Sequence, residues 1–278
     1  MPYTNMAKLN KLQPPCVVSI AGSDPSGGAG IQADIKSISA TGSYAAAIIT
    51  ALTAQNTQGV HAITNIELAF LQQQIETVFN DLTVDAVKIG MLHNTAIITL
   101  IARMLKLYPI KNIVLDPVMI AKNGCDLLMP DTIAALKQQL FPLTYLITPN
   151  CPETEKLLDI KITNTQDMQE CAIELGQNFH TNVLIKGGHL HASTAADVLY
   201  LYQDNTIQWF STKRIATNNT HGTGCTLSSA IASYLAQRYN LTQAVSKAKT
   251  YLTKAIISSS QFHIGHGCGP VDHFYMLK

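Results

Sequence analysis

The chain has 278 residues, 47% apolar and 13% charged, with 19 basic against 18 acidic side chains and a formal net charge of +1. That length buries a sizeable core, and so even a spread of charge excludes the basic footprint of a nucleic-acid or anionic-membrane binder. Six cysteines stand far apart with no C-x-x-C pair, which excludes a disulfide-stapled secreted scaffold and points to a reducing, cytoplasmic setting. Residues 1–15 read as a loose polar leader without the apolar segment of a signal peptide. Residues 16–278 read as one α/β domain, and no apolar stretch reaches the roughly 18 residues of a membrane helix.

Cys16-Val-Val-Ser-Ile-Ala21 is a short β-branched strand running into Gly22-Ser-Asp-Pro-Ser-Gly-Gly-Ala-Gly30, and from Ile31 onward apolar residues recur at helical spacing. Such a glycine-rich turn lets backbone approach a ligand, yet it lacks both the Walker ending and G-x-G-x-x-G, so ligand loop and plain turn stand as equal readings. The apolar run 45–54 is a second strand ending in Gln55-Asn56-Thr57. Amides there either read the edge of a heterocycle or cap a turn. Helices are predicted over 70–79 and 96–107, with a buried strand over 86–92 between them, broken at Gly90.

Asn112-Ile-Val-Leu-Asp-Pro-Val118 is a strand that delivers Asp116 to its carboxyl end, the edge where open parallel sheets bind ligands. A helix over 131–140 and a strand over 145–148 follow, then Pro149-Asn-Cys-Pro-Glu153 at the mouth of another helix. Asn150 and Glu153 there serve either as helix caps or as site residues. After a helix over 166–179, the strand 182–186 brings Lys186 to the same edge, and 196–202 with 207–210 alternate as an antiparallel hairpin around Asp204-Asn205. Residues 217–229, Thr-Asn-Asn-Thr-His-Gly-Thr-Gly-Cys-Thr-Leu-Ser-Ser, place Gly222, Thr223 and Gly224 at the start of a helix that runs to Arg238. Backbone N–H groups and a positive helix end make this an anion cradle, and a helix N-terminus is expected to lower the Cys225 thiol into the range of a proton acceptor or nucleophile. A last helix spans 242–262 ahead of a glycine-rich tail.

Each of these signals is ambiguous alone, but strand–helix alternation sets Asp116, Asn150, Glu153, Lys186 and the 222–225 turn along one sheet edge. Hard oxygen donors suit Mg²⁺, Lys186 suits a phosphate, and the cradle with a proton acceptor completes a phosphoryl-transfer set.

The motifs Ala21-Gly-Ser-Asp-Pro-Ser-Gly-Gly-Ala-Gly-Ile-Gln-Ala-Asp34, Ile49-Thr-Ala-Leu-Thr-Ala-Gln-Asn-Thr57, Lys88-Ile-Gly-Met-Leu92, Leu115-Asp-Pro-Val118, Ile147-Thr-Pro-Asn150, Ile185-Lys-Gly-Gly-His189 and Asn219-Thr-His-Gly-Thr-Gly-Cys-Thr226 resemble the ribokinase superfamily. Within it they are similar to the hydroxymethylpyrimidine/phosphomethylpyrimidine kinases of thiamine biosynthesis, over essentially all of the chain after the leader. The resemblance implies a three-layer α/β fold, a mainly parallel central sheet with helices on both faces. It implies ATP and Mg²⁺ as cofactor and metal, and a pyrimidine substrate whose hydroxymethyl group, then its monophosphate, is phosphorylated. Cys225 is then the base beside the Gly222-Thr223-Gly224 anion hole. Gln55, Gly22, Asp34 and Met91 line the substrate pocket, Lys186, Asn150 and Glu153 lie on the nucleotide side, and Asp116 with Glu153 serves the metal. A homodimer is expected.

Pyridoxal kinase is the neighbouring alternative, since both substrates are hydroxymethyl nitrogen heteroaromatics. A thiol hydrolase built on Cys225 and His221 is the alternative from another class, but it leaves Asp116, Glu153 and Lys186 without a use. The pairs His189/His191 and His263/His266 have metal-site spacings without an acidic or thiol partner, so they read as loop histidines, and Cys268 reads as a small apolar filler.

Overall fold

The computed structural model of the chain describes residues 13–119, 130–188 and 194–278. Most of the leader, Cys125, His189 and His191 lie outside them. Six strands run parallel: β1 (Cys16–Ala21), β2 (Tyr44–Ile49), β5 (Ala86–Ile89), β6 (Asn112–Leu115), β7 (Leu146–Ile147) and β8 (Asn182–Lys186). β9 (Thr194–Leu201) and β10 (Thr206–Lys213) add an antiparallel hairpin at one edge, giving the order β10-β9-β8-β7-β6-β5-β1-β2. β3 (Ala51–Asn56) and β4 (Gly59–Asn65) pair separately as a two-stranded ribbon.

The parallel strands are buried on both faces because their side chains alternate between two apolar layers. Val17, Ala86, Val114, Leu146 and Leu184 pack with residues of α1 (Gly30–Ala40), α7 (Thr223–Ala236) and α8 (Leu241–Ser259). Val18, Ile20, Val87, Ile89, Ile113, Leu115 and Ile185 face the other way. They meet α2 (Leu68–Asp81), α3 (Thr95–Leu105), α5 (Cys151–Leu158), α6 (Thr165–Phe179) and the helical segment formed by α4 (Pro130–Ala135) with its wider continuation Leu136–Leu140. The sheet therefore lies between helical layers, as the resemblance implied. Asparagines start four of these helices: Asn94, Asn150, Asn164 and Asn240 each accept a first-turn N–H, which satisfies a donor the helix itself leaves open.

One expected element divides in two. The apolar run 45–54 is not a single strand; it breaks at the buried Thr50, whose N–H bonds Ala21 O and whose carbonyl accepts from Ile66 N. β2 completes the main sheet, whereas β3 swings away to pair with β4, which carries no apolar alternation strong enough to have announced it. Gln55 thus sits on the ribbon rather than at the end of a central strand.

Close packing of α6 on β9 depends on Gly176, where a Cβ would overlap the Tyr200 ring, while a Cβ at Gly188 would meet nothing. Gly176→Ala is therefore expected to lower unfolding free energy by about 1–3 kcal/mol through overpacking. Gly188→Ala should stay within about 0.5 kcal/mol of the parent in the same urea titration.

Candidate active site

The register of the parallel strands aligns their carboxyl ends. Gly90 N–H bonds Ile20 O, Asp116 N–H bonds Ile89 O, Thr148 N–H bonds Leu115 O and Lys186 N–H bonds Pro149 O, each at 2.9 Å. Residues just past the strands therefore stand in one row, and Asp116 and Lys186 meet although 70 positions separate them.

Lys186 Nζ donates to Asp116 Oδ1 at 2.6 Å and lies 3.9 Å from Glu153 Oε2. Thr148 and Ser228 hydroxyls add bonds to Asp116 at 3.2 and 3.5 Å. Asn150 and Glu153 form a reciprocal capping box at the start of α5, Asn150 Oδ1 accepting from Glu153 N–H and Glu153 Oε2 from Asn150 N–H. Capping and site placement are thus compatible for Glu153, whose carboxylate is held by its cap where Lys186 reaches it. Burial pushes Glu153 up to about 7; Lys186 pulls it down and Asp116 adds repulsion. Lys186 is raised: burial opposes its charge, but Asp116 and Glu153 outweigh that.

Opposite this cluster stands the N-terminus of α7. Gly222 caps it with φ 75°, a left-handed conformation that favours glycine, and a Cβ there would overlap Gly28 O. A Cβ at Gly224 would lie 3.2 Å from Asp116 Oδ2 and 3.3 Å from Lys186 Nζ, so the first turn of the helix directly faces the carboxylate–lysine pair. Thr223 Oγ1 turns back to Thr220 O at 3.2 Å.

Cys225 departs from expectation. The thiol is not lowered by the helix N-terminus; burial pushes it up to about 11, with Lys88 pulling down and Asp34 and Asp116 adding to the rise. The loss of water and two buried carboxylates outweigh the helix end and the pull of Lys88.

Of the residues expected to line the substrate pocket, Gly22 and Met91 are neighbours, a Cβ at Gly22 standing 2.7 Å from Met91 Cε. Gln55 Nε2 lies 3.5 Å from His221 Nε2, which is 2.7 Å from Asp24 Oδ2. Asp24 also accepts from Ser26 and Ala29 N–H, which folds the 22–30 turn around one carboxylate. Burial alone would raise Asp24, but His221, Ser26 and Ala29 outweigh it and hold the carboxyl at about 2. His221 is thereby engaged with Asp24 and Gln55, not with Cys225 as a hydrolase dyad would require. Asp34 does not line this pocket. It is fully buried, its oxygens taken by Lys88 at 2.8 Å, Ser19 at 2.6 Å and Ser229 at 2.7 Å.

Three features were missed at the level of sequence. Lys88 is fully buried; it heads one of the quoted motifs, but no role was read for a charge inside the strand Ala-Val-Lys-Ile. Asp24–His221 spans 197 positions and left no local trace. The tail is the third: Cys268 N–H bonds Thr57 O and His221 N–H bonds Gly269 O, joining the ribbon to the cradle. Cys268 therefore lies on that joint, and His263 and His266 are exposed with no group of three metal-ligating side chains among the described residues.

A lysine shared by two buried carboxylates and set against an open helix N-terminus suits a phosphoryl group in transit, so fold and site together define a ribokinase-like phosphotransferase. The phosphomethylpyrimidine kinase family profile matches residues 24–272. The chain is 46% identical over 259 residues to the hydroxymethylpyrimidine/phosphomethylpyrimidine kinase of Escherichia coli, covering 93% of this chain and 97% of that protein. It spans 52% of the bifunctional thiamine biosynthesis protein ThiED of Geobacter sulfurreducens, also at 46% identity. The crystal structure of phosphomethylpyrimidine kinase from Clostridium difficile superposes with a TM-score of 0.77 at 46% identity, covering 87% of this chain and 99% of that one. Pyridoxal kinase from Staphylococcus aureus in complex with AMP-PCP and pyridoxal gives 0.84 at 30% identity, covering 94% of each chain. The chain belongs to the phosphomethylpyrimidine kinase family.

The raised Glu153 carboxyl has a signed consequence. Its folded pKa lies above the unfolded value, so between about pH 4.5 and 7 the folded state binds more protons and this residue's contribution to stability falls as pH rises. Glu153→Gln should remove that slope. In paired urea titrations at pH 5 and pH 8, the variant is expected to gain on the parent by on the order of 2 kcal/mol across the interval.

Proposed function

We propose that the protein transfers the γ-phosphoryl group of ATP to the hydroxymethyl group of 4-amino-5-hydroxymethyl-2-methylpyrimidine, and then phosphorylates that monophosphate to the diphosphate, for thiamine biosynthesis. One observation carries this reading: a single turn, residues 22–30, serves both halves of the reaction. Its Gly28 carbonyl packs against Gly222 at the start of α7, and its Asp24 holds His221 against Gln55. A ring read by Gln55 and walled by Met91 would then present its hydroxymethyl arm toward Cys225 and the α7 cradle.

In the transfer, the substrate O–H bond breaks and its proton passes to the Cys225 thiolate. The oxygen lone pair forms the new bond to the γ-phosphorus, and the bond to the β–γ bridging oxygen breaks with its electrons leaving on ADP. A loose transition state demands little from the base. Most of the acceleration comes from alignment by Lys186 and the first-turn amides of α7, worth ~7 kcal/mol or more. Asp116 and Glu153 supply hard oxygen donors that fit Mg²⁺, and the mutual repulsion that helps raise Glu153 is what a divalent cation would relieve. An ion held there would offset the charge of the phosphate oxygens. Lys186 now occupies Asp116 and would turn to the phosphate when nucleotide enters.

This reading takes residues 16–278 as one kinase domain and the enzyme as a cytoplasmic homodimer. The likeness to pyridoxal kinase supports a second reading, with pyridoxal as acceptor. A coupled ADP assay separates them: turnover is expected with MgATP and hydroxymethylpyrimidine, and brisk turnover with pyridoxal alone would reverse the choice.

Because Cys225 acts deprotonated and lies at about 11, kcat/KM is expected to rise close to tenfold per pH unit between about pH 7 and 9. Cys225→Ala should flatten that profile and lower kcat about 10²-fold with nucleotide affinity nearly unchanged. Unaltered kcat would remove the thiol from the mechanism.

A further inference from the structure

The amide of Gln55 has two ends of opposite character: its oxygen accepts, its nitrogen donates, and a half turn about the last torsion exchanges them. Thr53 and Gln55, two apart on β3, share a face, and a register shift of the ribbon falls between Ala54 and Gln55, an irregularity of the kind that re-aims a side chain. Two neighbours bracket the amide. Its oxygen lies 3.3 Å from Thr53 Oγ1, and its nitrogen 3.5 Å from His221 Nε2.

The character of each neighbour is fixed by its own partner. Thr53 Oγ1 has one hydrogen, which it donates to Ser23 O at 2.9 Å, so only lone pairs are left for Gln55. His221 Nε2 stands 2.7 Å from Asp24 Oδ2, and a carboxylate only accepts, so Nε2 carries a hydrogen whether or not the ring is charged. The imidazole is wedged in place: a Cβ at Gly28 would stand 2.4 Å from its Cδ2, and its backbone N–H bonds Gly269 O at 3.0 Å. With the amide nitrogen toward His221, two donors face each other and the oxygen meets a hydroxyl that has no hydrogen to give. The half-turned amide satisfies both neighbours, its oxygen accepting from Nε2–H and its nitrogen donating to Thr53 Oγ1. One N–H and one oxygen lone pair remain for a ligand, in an order the neighbours have set.

That order discriminates between rings of the same size. The edge of a 4-aminopyrimidine offers a donor amino group beside an acceptor ring nitrogen. Its 4-oxo counterpart, the product of hydrolytic deamination, offers an acceptor oxygen beside a ring N–H. A half turn of Gln55 converts a site for one into a site for the other. We propose that His221 and Asp24 are positioning residues that set the donor–acceptor order of Gln55, and thereby admit the 4-amino ring and reject the 4-oxo ring. The proposal rests on the reading of Gln55 as the residue that reads the heterocycle.

Isothermal titration calorimetry of the full-length protein with 4-amino-5-hydroxymethyl-2-methylpyrimidine and, separately, with its 4-oxo analogue tests this. The parent is expected to prefer the amino ring by about 10²-fold or more in Kd, since the wrong order leaves buried polar groups unpaired on both partners. His221→Phe is expected to cut that ratio below about tenfold, because Gln55 can then turn to serve either edge. Asp24→Asn, whose amide can face the imidazole by either end, is expected to lower it likewise and serves should the phenylalanine variant not fold. His221→Gln, which restores an N–H beside Asp24, is expected to keep the preference. Thermal melts show which variants are folded. A pair that merely packs the 22–30 turn would weaken both ligands by one factor, so an unmoved ratio in the folded variants, or a parent without the preference, would overturn the proposal. The reading beneath it fails separately: a parent that binds neither pyrimidine discards both, whereas selective binding with the ratio unmoved discards only the role of His221 and Asp24.

Discussion

The site depends on one constraint, the in-step hydrogen bonding of parallel strands at their carboxyl ends. Because β1, β5, β6, β7 and β8 finish in register, the residues after them form a row without any local motif directing them together. Asp116, Thr148 and Lys186 are neighbours for this reason, and the capping box of α5 locks Glu153 beside them. The helix N-terminus of α7 is then brought down onto this row by the close approach of Gly222 to the Gly28 carbonyl, which leaves no room for a Cβ, and Gly224 faces the Asp116–Lys186 side chains.

A polar seam runs through an otherwise apolar interior. Asp34, Lys88, Ser19 and Ser229 share it between α1, α7 and the sheet. Burial has different outcomes at two groups. Lys88 stays charged against burial because a carboxylate is bonded to it, whereas burial pushes the Cys225 thiol up, with Asp34 and Asp116 adding to the rise. The sulfur's chemistry is thus decided by its neighbours rather than by its position on a helix.

Much of the fold was legible because burial on both faces leaves continuous apolar strands, as in Cys16–Ala21 and Asn182–Lys186, whose bounds coincide with the sequence reading. Helices carried by apolar spacing were legible likewise. The division at Thr50 was not, since one apolar run supplied two strands in different sheets and composition does not mark the change of partner. Within the site, strand-end logic brought Asp116, Glu153 and Lys186 together. It did not reveal that Asp34 faces inward to Lys88, or that His221 bonds Asp24. Both are long-range pairings settled by tertiary packing. The ionisation of Cys225 was misjudged for a related reason: the local helix end is visible in sequence, whereas the burial and the two carboxylates that outweigh it are not.

In the proposed reaction one edge of the sheet carries a phosphoryl group from nucleotide to a hydroxymethyl heterocycle without releasing it to water. Phosphorus-31 NMR of the protein with MgATP and hydroxymethylpyrimidine tests this most directly. A phosphomonoester signal coupled to the methylene protons is expected, followed by a diphosphate ester, as ATP declines to ADP. Inorganic phosphate as the sole phosphorus product besides ADP would contradict it.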